Sequence, residues 1–161
     1  MNSTGTIVQF KRYRRVCFYT VKFEGSELTE ADKFFEKVEN EEEYGEYVDN
    51  LVKWIKDIGN NRGARYELFR DERIAVALPP PRQHLRTHNF VKDLRLYCFW
   101  VSPNIVILFN GGIKTKINPV QCPNVSMHFH NANNWSKQLV EHELDYNGLD
   151  LMDTDNIEIY D

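Results

Sequence analysis

The segment LRLYCFWVSPNIVILFNGGIKTK, Leu94 to Lys116, holds two β-rich runs around a short break. In extended chain Leu94, Leu96, Cys98 and Trp100 fall on one side, and Arg95, Tyr97 and Phe99 on the other. Ser102-Pro103-Asn104 interrupts the run, and Ile105 to Phe109 is a second apolar stretch. Two such runs with so short a Pro/Asn connection predict an antiparallel hairpin. Asn110-Gly111-Gly112 is expected to end the second strand, because Asn and Gly accept the positive φ that other residues resist. Lys114 and Lys116 follow directly, with Arg95 expected near them on the exposed face of the first strand. A phosphate-sized anion suits that place.

Upstream, Arg15 to Phe23 reads as a strand whose more apolar face is Cys17, Tyr19, Val21 and Phe23. Thr29 with Asp32 three residues on resembles a capping box, opening a helix through Val38. A second helix is expected from Glu41 to Ile58, where Tyr44, Tyr47, Val48, Leu51, Trp54, Ile55 and Ile58 recur at helical spacing. The link between the two helices is short enough to predict an antiparallel helical hairpin. Tyr66, Leu68 and Arg70 share a face, Asp71-Glu72-Arg73 reads as a turn, and Ile74 to Leu78 is apolar. This segment forms either two short strands or one bent strand, stopped by Pro79-Pro80-Pro81. A basic loop follows over residues 79–93, and a C-terminal helix is expected within Val125 to Leu144. The sum is an α+β fold with helices packed on one face of an antiparallel sheet. Residues 1–144 form one domain in this reading, and residues 145–161 an acidic extension.

The net charge of −4 conceals a strong segregation. Residues 1–23 carry five basic groups and no acid; residues 24–49 carry eleven acids against Lys33 and Lys37. Residues 50–140 hold thirteen bases against five acids, and residues 141–161 hold eight acids and no base. Binding follows the local field, so the basic strand regions suit nucleic acid although the whole chain is acidic. The acidic tail has the charge to cover a basic cleft, or to remain a solvated extension. No apolar run approaches the ~20 residues that span a bilayer, and the first residues lack the apolar core of a signal peptide. A cytoplasmic location is expected, without membrane contact. Cys17 and Cys98 read as buried thiols, and three irregularly spaced cysteines argue against a disulfide framework.

Leu94-Arg95-Leu96-Tyr97, Ile105-Val106-Ile107-Leu108 and Gly112-Ile113-Lys114-Thr115, with Pro119 before a helix, carry a family likeness. The sequence from Arg65 to Ala132 resembles the RelE/ParE superfamily of toxins from bacterial toxin–antitoxin pairs, in particular its HigB-like, phage-derived branch. Tyr66-Glu67-Leu68-Phe69-Arg70 is similar to that family's earlier strand, and the helical hairpin ahead of it agrees. The chain departs from the pattern in its acidic extension and in Lys114-Thr115-Lys116, where a doubled lysine is common. It also offers no match to the tyrosine that some nuclease members use near the C-terminal helix.

The resemblance implies a metal-independent endoribonuclease, cutting mRNA (usually on the ribosome) and neutralised by a protein antitoxin. The 2′-OH would attack the adjacent phosphate, and fixed cations would hold the charge that develops there. Arg95 is the expected bidentate clamp. Lys114 is expected to stabilise the same charge or to protonate the leaving 5′-oxygen, with Arg70 behind them. His84 has the pKa range for acid–base work, as does His88. Arg82, Arg86, His88, Lys92 and Lys116 are the expected RNA contacts. The alternative from the same resemblance is a non-catalytic protein-binding module, like the gyrase-poisoning branch or a phage accessory protein. Cys122, His128 and His130 do not supply the convergent ligands of a zinc site, so neither a metal nor a cofactor is expected.

Overall fold

The computed structural model describes residues 3–41, 44–81, 94–113 and 125–161. Its centre is a sheet of seven strands: β1 (Thr4–Arg12), β2 (Cys17–Phe23), β3 (Arg70–Glu72), β4 (Ala75–Leu78), β5 (Leu94–Ser102), β6 (Ile105–Ile113) and β9 (Glu158–Tyr160). Their order is β3-β4-β5-β6-β2-β1-β9. Neighbours are antiparallel except β2 and β6, which run parallel from Cys17↔Ile105 to Thr20↔Leu108. The helices are α1 (Glu30–Glu39), α2 (Gly45–Asp57) and α3 (Ser126–His142). A small hairpin of β7 (Tyr146–Asn147) and β8 (Asp150–Leu151) precedes β9.

The α+β class holds, but the helices do not share one face. Phe34 and Val38 of α1 and Val48, Leu51 and Trp54 of α2 join Phe18, Leu94, Leu96, Cys98, Val106 and Leu108 in one cluster. Phe129, Ala132, Trp135 and Leu139 of α3 join Tyr19, Val21, Phe23, Tyr97, Ile107 and Phe109 in another. The two sets of strand residues alternate along each strand, so the clusters are opposite faces of one sheet. Ile105 to Phe109 contains no polar residue, which itself requires cover on both faces. Trp135 anchors the second face, its ring 5.0 Å from that of Phe23 and 5.4 Å from that of Phe109.

Local signals account for the helix ends. Thr29 Oγ1 accepts a bond from the Asp32 amide at 3.1 Å and its hydroxyl donates to Asp32 Oδ2 at 2.9 Å, so the expected cap opens α1. Past Asp57 the helix continues as one wider π-helical turn over Ile58–Arg62, and Gly63 leaves it at φ 78°.

Other expectations are corrected. Strand β1 was not foreseen; it pairs with β2 through a bulge between Gln9 and Lys11. Tyr66–Leu68 is a 3-10 turn rather than the start of a strand, and β3 runs through Glu72, with the reversal at Arg73 and Ile74. Strand β6 does not end at Asn110: Gly111 lies opposite Leu96 and Gly112 opposite Arg95. Neither glycine stands at positive φ. What Gly111 supplies is room, because a Cβ there would lie 1.8 Å from the carbonyl oxygen of Arg95.

Residues 145–161 join the sheet rather than standing apart from it. Strand β9 pairs with β1 from Thr4↔Tyr160 to Thr6↔Glu158, and Leu151, Ile157 and Ile159 are buried on the α3 face. The Tyr19 hydroxyl accepts from the Leu151 amide at 3.0 Å and donates to Leu149 O at 3.1 Å, and Arg12 pairs with Asp150 at 2.6 Å. The acidic residues thus flank β1 at one edge of the sheet, with three strands between β9 and β5, and do not cover Arg95.

Candidate functional site

Of the site residues expected from the sequence, the structure describes Arg70 and Arg95, and of the three weighed as metal ligands it describes His128 and His130. Lys114, Lys116, His84, Arg82, Arg86, His88 and Lys92 lie outside the described residues, as does Cys122. Among the described residues no three His, Cys, Asp or Glu side chains gather as a metal site would require.

Arg95 begins β5, and alternation puts it on the α3 face with Tyr97. It is not on an exposed face, as expected, but only 6% accessible. Its Nη1 donates to Leu94 O at 2.9 Å, and its Nε lies 3.8 Å from Glu72 Oε1 on β3. Arg70 stands two residues before Glu72 on the same side of β3. It is half-buried, with its Nε donating to Pro79 O at 3.0 Å. Burial lowers the Arg70 pKa, the nearby Arg95 lowers it further, and Glu72 opposes both. Two guanidinium groups therefore crowd one carboxylate where the chain enters β5 and leaves β6.

A second polar group closes the same end of the sheet. The last paired residues of β2 and β6 are Thr20 and Leu108, and beyond them the chain turns from β2 to α1. Lys37 of α1 reaches round this end: its Nζ donates to Gly111 O, approaches Asn110 Oδ1 at 3.4 Å and meets His128 Nε2 of α3 at 3.2 Å. An ammonium only donates, so His128 Nε2 is the acceptor and its ring proton sits on Nδ1. Desolvation first, then Lys37 and Lys33, lower the His128 pKa to about 4. Desolvation also lowers the Lys37 pKa, while Glu30 opposes it. With its donors so engaged, Lys37 pins α1, β6 and α3 together. Beside it Lys37, Val38, Glu41, Gly112 and Ile113 line a cavity of about 180 Å3.

The His128–Lys37 contact predicts a pH effect. The folded pKa of His128 is below its ordinary value, so the unfolded chain binds the extra proton first as pH falls from 6.5 towards 4. The contribution is whole above about pH 6.5 and is lost on acidification. Halved for the solvent that still reaches the ring, it amounts to about 1–2 kcal/mol between pH 7 and pH 4.5. Acidification from pH 7 to pH 4.5 should therefore lower the urea midpoint of the wild type more than that of His128→Gln. Parallel pH curves would refute the assignment.

Sequence reasoning did not find Lys37, His128 or Glu72 as members of this end. The signal for Lys37 was its place as one of two bases among the acids of residues 24–49. Glu72 had been read as part of a turn. Trp100 is half-buried, with its Nε1 donating to Ala64 O at 2.7 Å and the Tyr66 ring against its own. Trp54 is a core residue. No family model, curated protein or solved structure matches this chain, so its function is read from the geometry above.

Proposed function

We propose that the end of the sheet carrying Arg70 and Arg95 holds an RNA phosphate, and that the protein is a toxin-like, metal-independent endoribonuclease acting on mRNA in the cytoplasm. The observation that carries this reading is the convergence of two guanidinium groups beside the end of β6, from which the sequence runs straight into Lys114-Thr115-Lys116. The order of elements from Cys17 to His142 supports the likeness to the RelE/ParE superfamily: strand, two helices, antiparallel strands, helix.

In this reading the 2′-OH attacks the adjacent phosphorus and the 5′-oxygen leaves, so negative charge grows on the phosphoryl oxygens. Cations held in a poorly hydrated place stabilise that growth more than they aid ground-state binding. Arg70, the more accessible of the pair, contacts the phosphate. Arg95 supplies field from beneath, and Lys114 serves the oxyanion or the leaving oxygen. A protein antitoxin masks the same end.

Mapping RNA 5′ ends in cells after induction of the wild type and of Arg70→Ala/Lys114→Ala tests this reading. New ends should accumulate with the wild type and fall by about 10²–10³ with a variant that still melts cooperatively. Growth arrest without new ends would favour the non-catalytic, protein-binding alternative. Neither ends nor arrest would overturn both readings.

A further inference from the structure

On the face away from Arg70 and Arg95, the helical layer stops short of β1 and leaves a groove of about 470 Å3. Its interior is apolar: Phe10 of β1 stacks on Phe35 of α1 with ring centroids 6.0 Å apart, and Leu28, Val52 and Ile55 continue the wall. Leu28 and Val52 are 37% and 42% accessible, which is high for aliphatic side chains gathered in one place. Asp32, Glu36 and Glu39 form the lip along α1, at spacings that put them in one row, and Lys11 faces them from β1. The lip carries three carboxylates against one ammonium, within a region of eleven acids and two lysines.

We propose that this groove docks an amphipathic helix of a protein partner, with an apolar stripe flanked by Lys or Arg on the side that meets α1. Side chains of β1, α1 and α2 line the groove, and its apolar wall and acidic lip are what the side chains of a partner would meet. That is the helix-in-groove mode, with apolar burial giving affinity and the acidic lip giving orientation and on-rate. A second copy of this chain is disfavoured at four of its exposed apolar residues, Val140, Tyr146, Met152 and Tyr160, which lie in or beside the acidic stretch 141–161 and would set acid against acid. Tyr66, Ile74 and Met127 are exposed outside that stretch, so sedimentation separates that occupant. The inference stands apart from the ribonuclease reading, because it uses the opposite face and none of the same residues.

The probe is a labelled amphipathic peptide of about 16 residues, roughly 24 Å as a helix, with a Leu stripe and a Lys flank. A control peptide keeps the stripe and carries Glu in the flank. Fluorescence anisotropy on the full chain should show the Lys peptide binding at least about ten-fold tighter than the Glu peptide. Val52→Asp, at an exposed position, should weaken it by about ten-fold or more, and Glu36→Lys/Glu39→Lys should invert the preference between peptides. Equal binding of the two peptides would overturn the proposal. So would indifference to Val52→Asp, absence of binding by either peptide, or a dimer in sedimentation that Val52→Asp dissociates.

Discussion

Gly111→Ala is expected to destabilise the protein by about 3–5 kcal/mol, although it adds a single methyl group. The new Cβ would stand 1.8 Å from Arg95 O and 2.8 Å from Arg95 C. Both are backbone atoms of the neighbouring strand, so no side chain can turn aside to admit it. Relief requires β5 and β6 to separate, which disturbs the pairing of Gly111 with Leu96 and of Gly112 with Arg95. It also displaces the Gly111 carbonyl that receives Lys37. Against a total stability of about 5–15 kcal/mol this is a large share. Urea unfolding should show a midpoint far below that of the wild type, and an unchanged midpoint would mean that the strands are not packed so closely.

The second large effect belongs to Arg95. Arg95→Met keeps much of the stem but leaves Glu72, whose side chain is 11% accessible, without the guanidinium beside it. Removing one partner of a buried ion pair costs about 3–5 kcal/mol, whereas replacing both by apolar groups costs far less. Arg95→Met/Glu72→Leu should accordingly be more stable than Arg95→Met alone. Four urea curves complete a double-mutant cycle, and a coupling near zero would show that the two charges do not act together. Arg70 sharpens the expectation. Its pKa is already lowered by burial and by Arg95, so Glu72→Gln alone should also destabilise, by leaving two guanidinium groups adjacent without that carboxylate.

The hairpin of β5 and β6 was legible because its side chains alternate and its turn is marked by Pro103-Asn104. Thr29 and Asp32 were legible because a cap is a local device. Strand β1 was not, since Thr4–Arg12 has few apolar residues and owes its extended form to pairing with β2 and β9. Strand β9 has three residues, and the strand it joins lies at the other end of the sequence. For Arg95, alternation gave the face correctly but not what covers it. With α3 placed on the same side as α1 and α2, Arg95 faced solvent; with α3 on its own side it is buried. The unbroken apolar run Ile105 to Phe109 was the clue that both faces are covered. The glycines of β6 were assigned to backbone freedom when the operative property is the missing Cβ, which depends on a strand the local sequence does not reveal.

The parallel pairing of β2 with β6 bears on how the chain reaches this structure during synthesis. Two hairpins, β1–β2 and β5–β6, consist of near neighbours and close cheaply. They meet along the parallel pairing of Cys17–Thr20 with Ile105–Leu108, where Thr20 also donates its hydroxyl to Leu108 O across 88 residues. Bringing such distant segments together must be paid in chain entropy before burial repays it, which makes this the slow step. Until β6 emerges from the ribosome, the inner edge of β2 stands open as a template for another nascent chain. Vectorial synthesis, rather than final stability, sets the interval in which this protein is most exposed to aggregation.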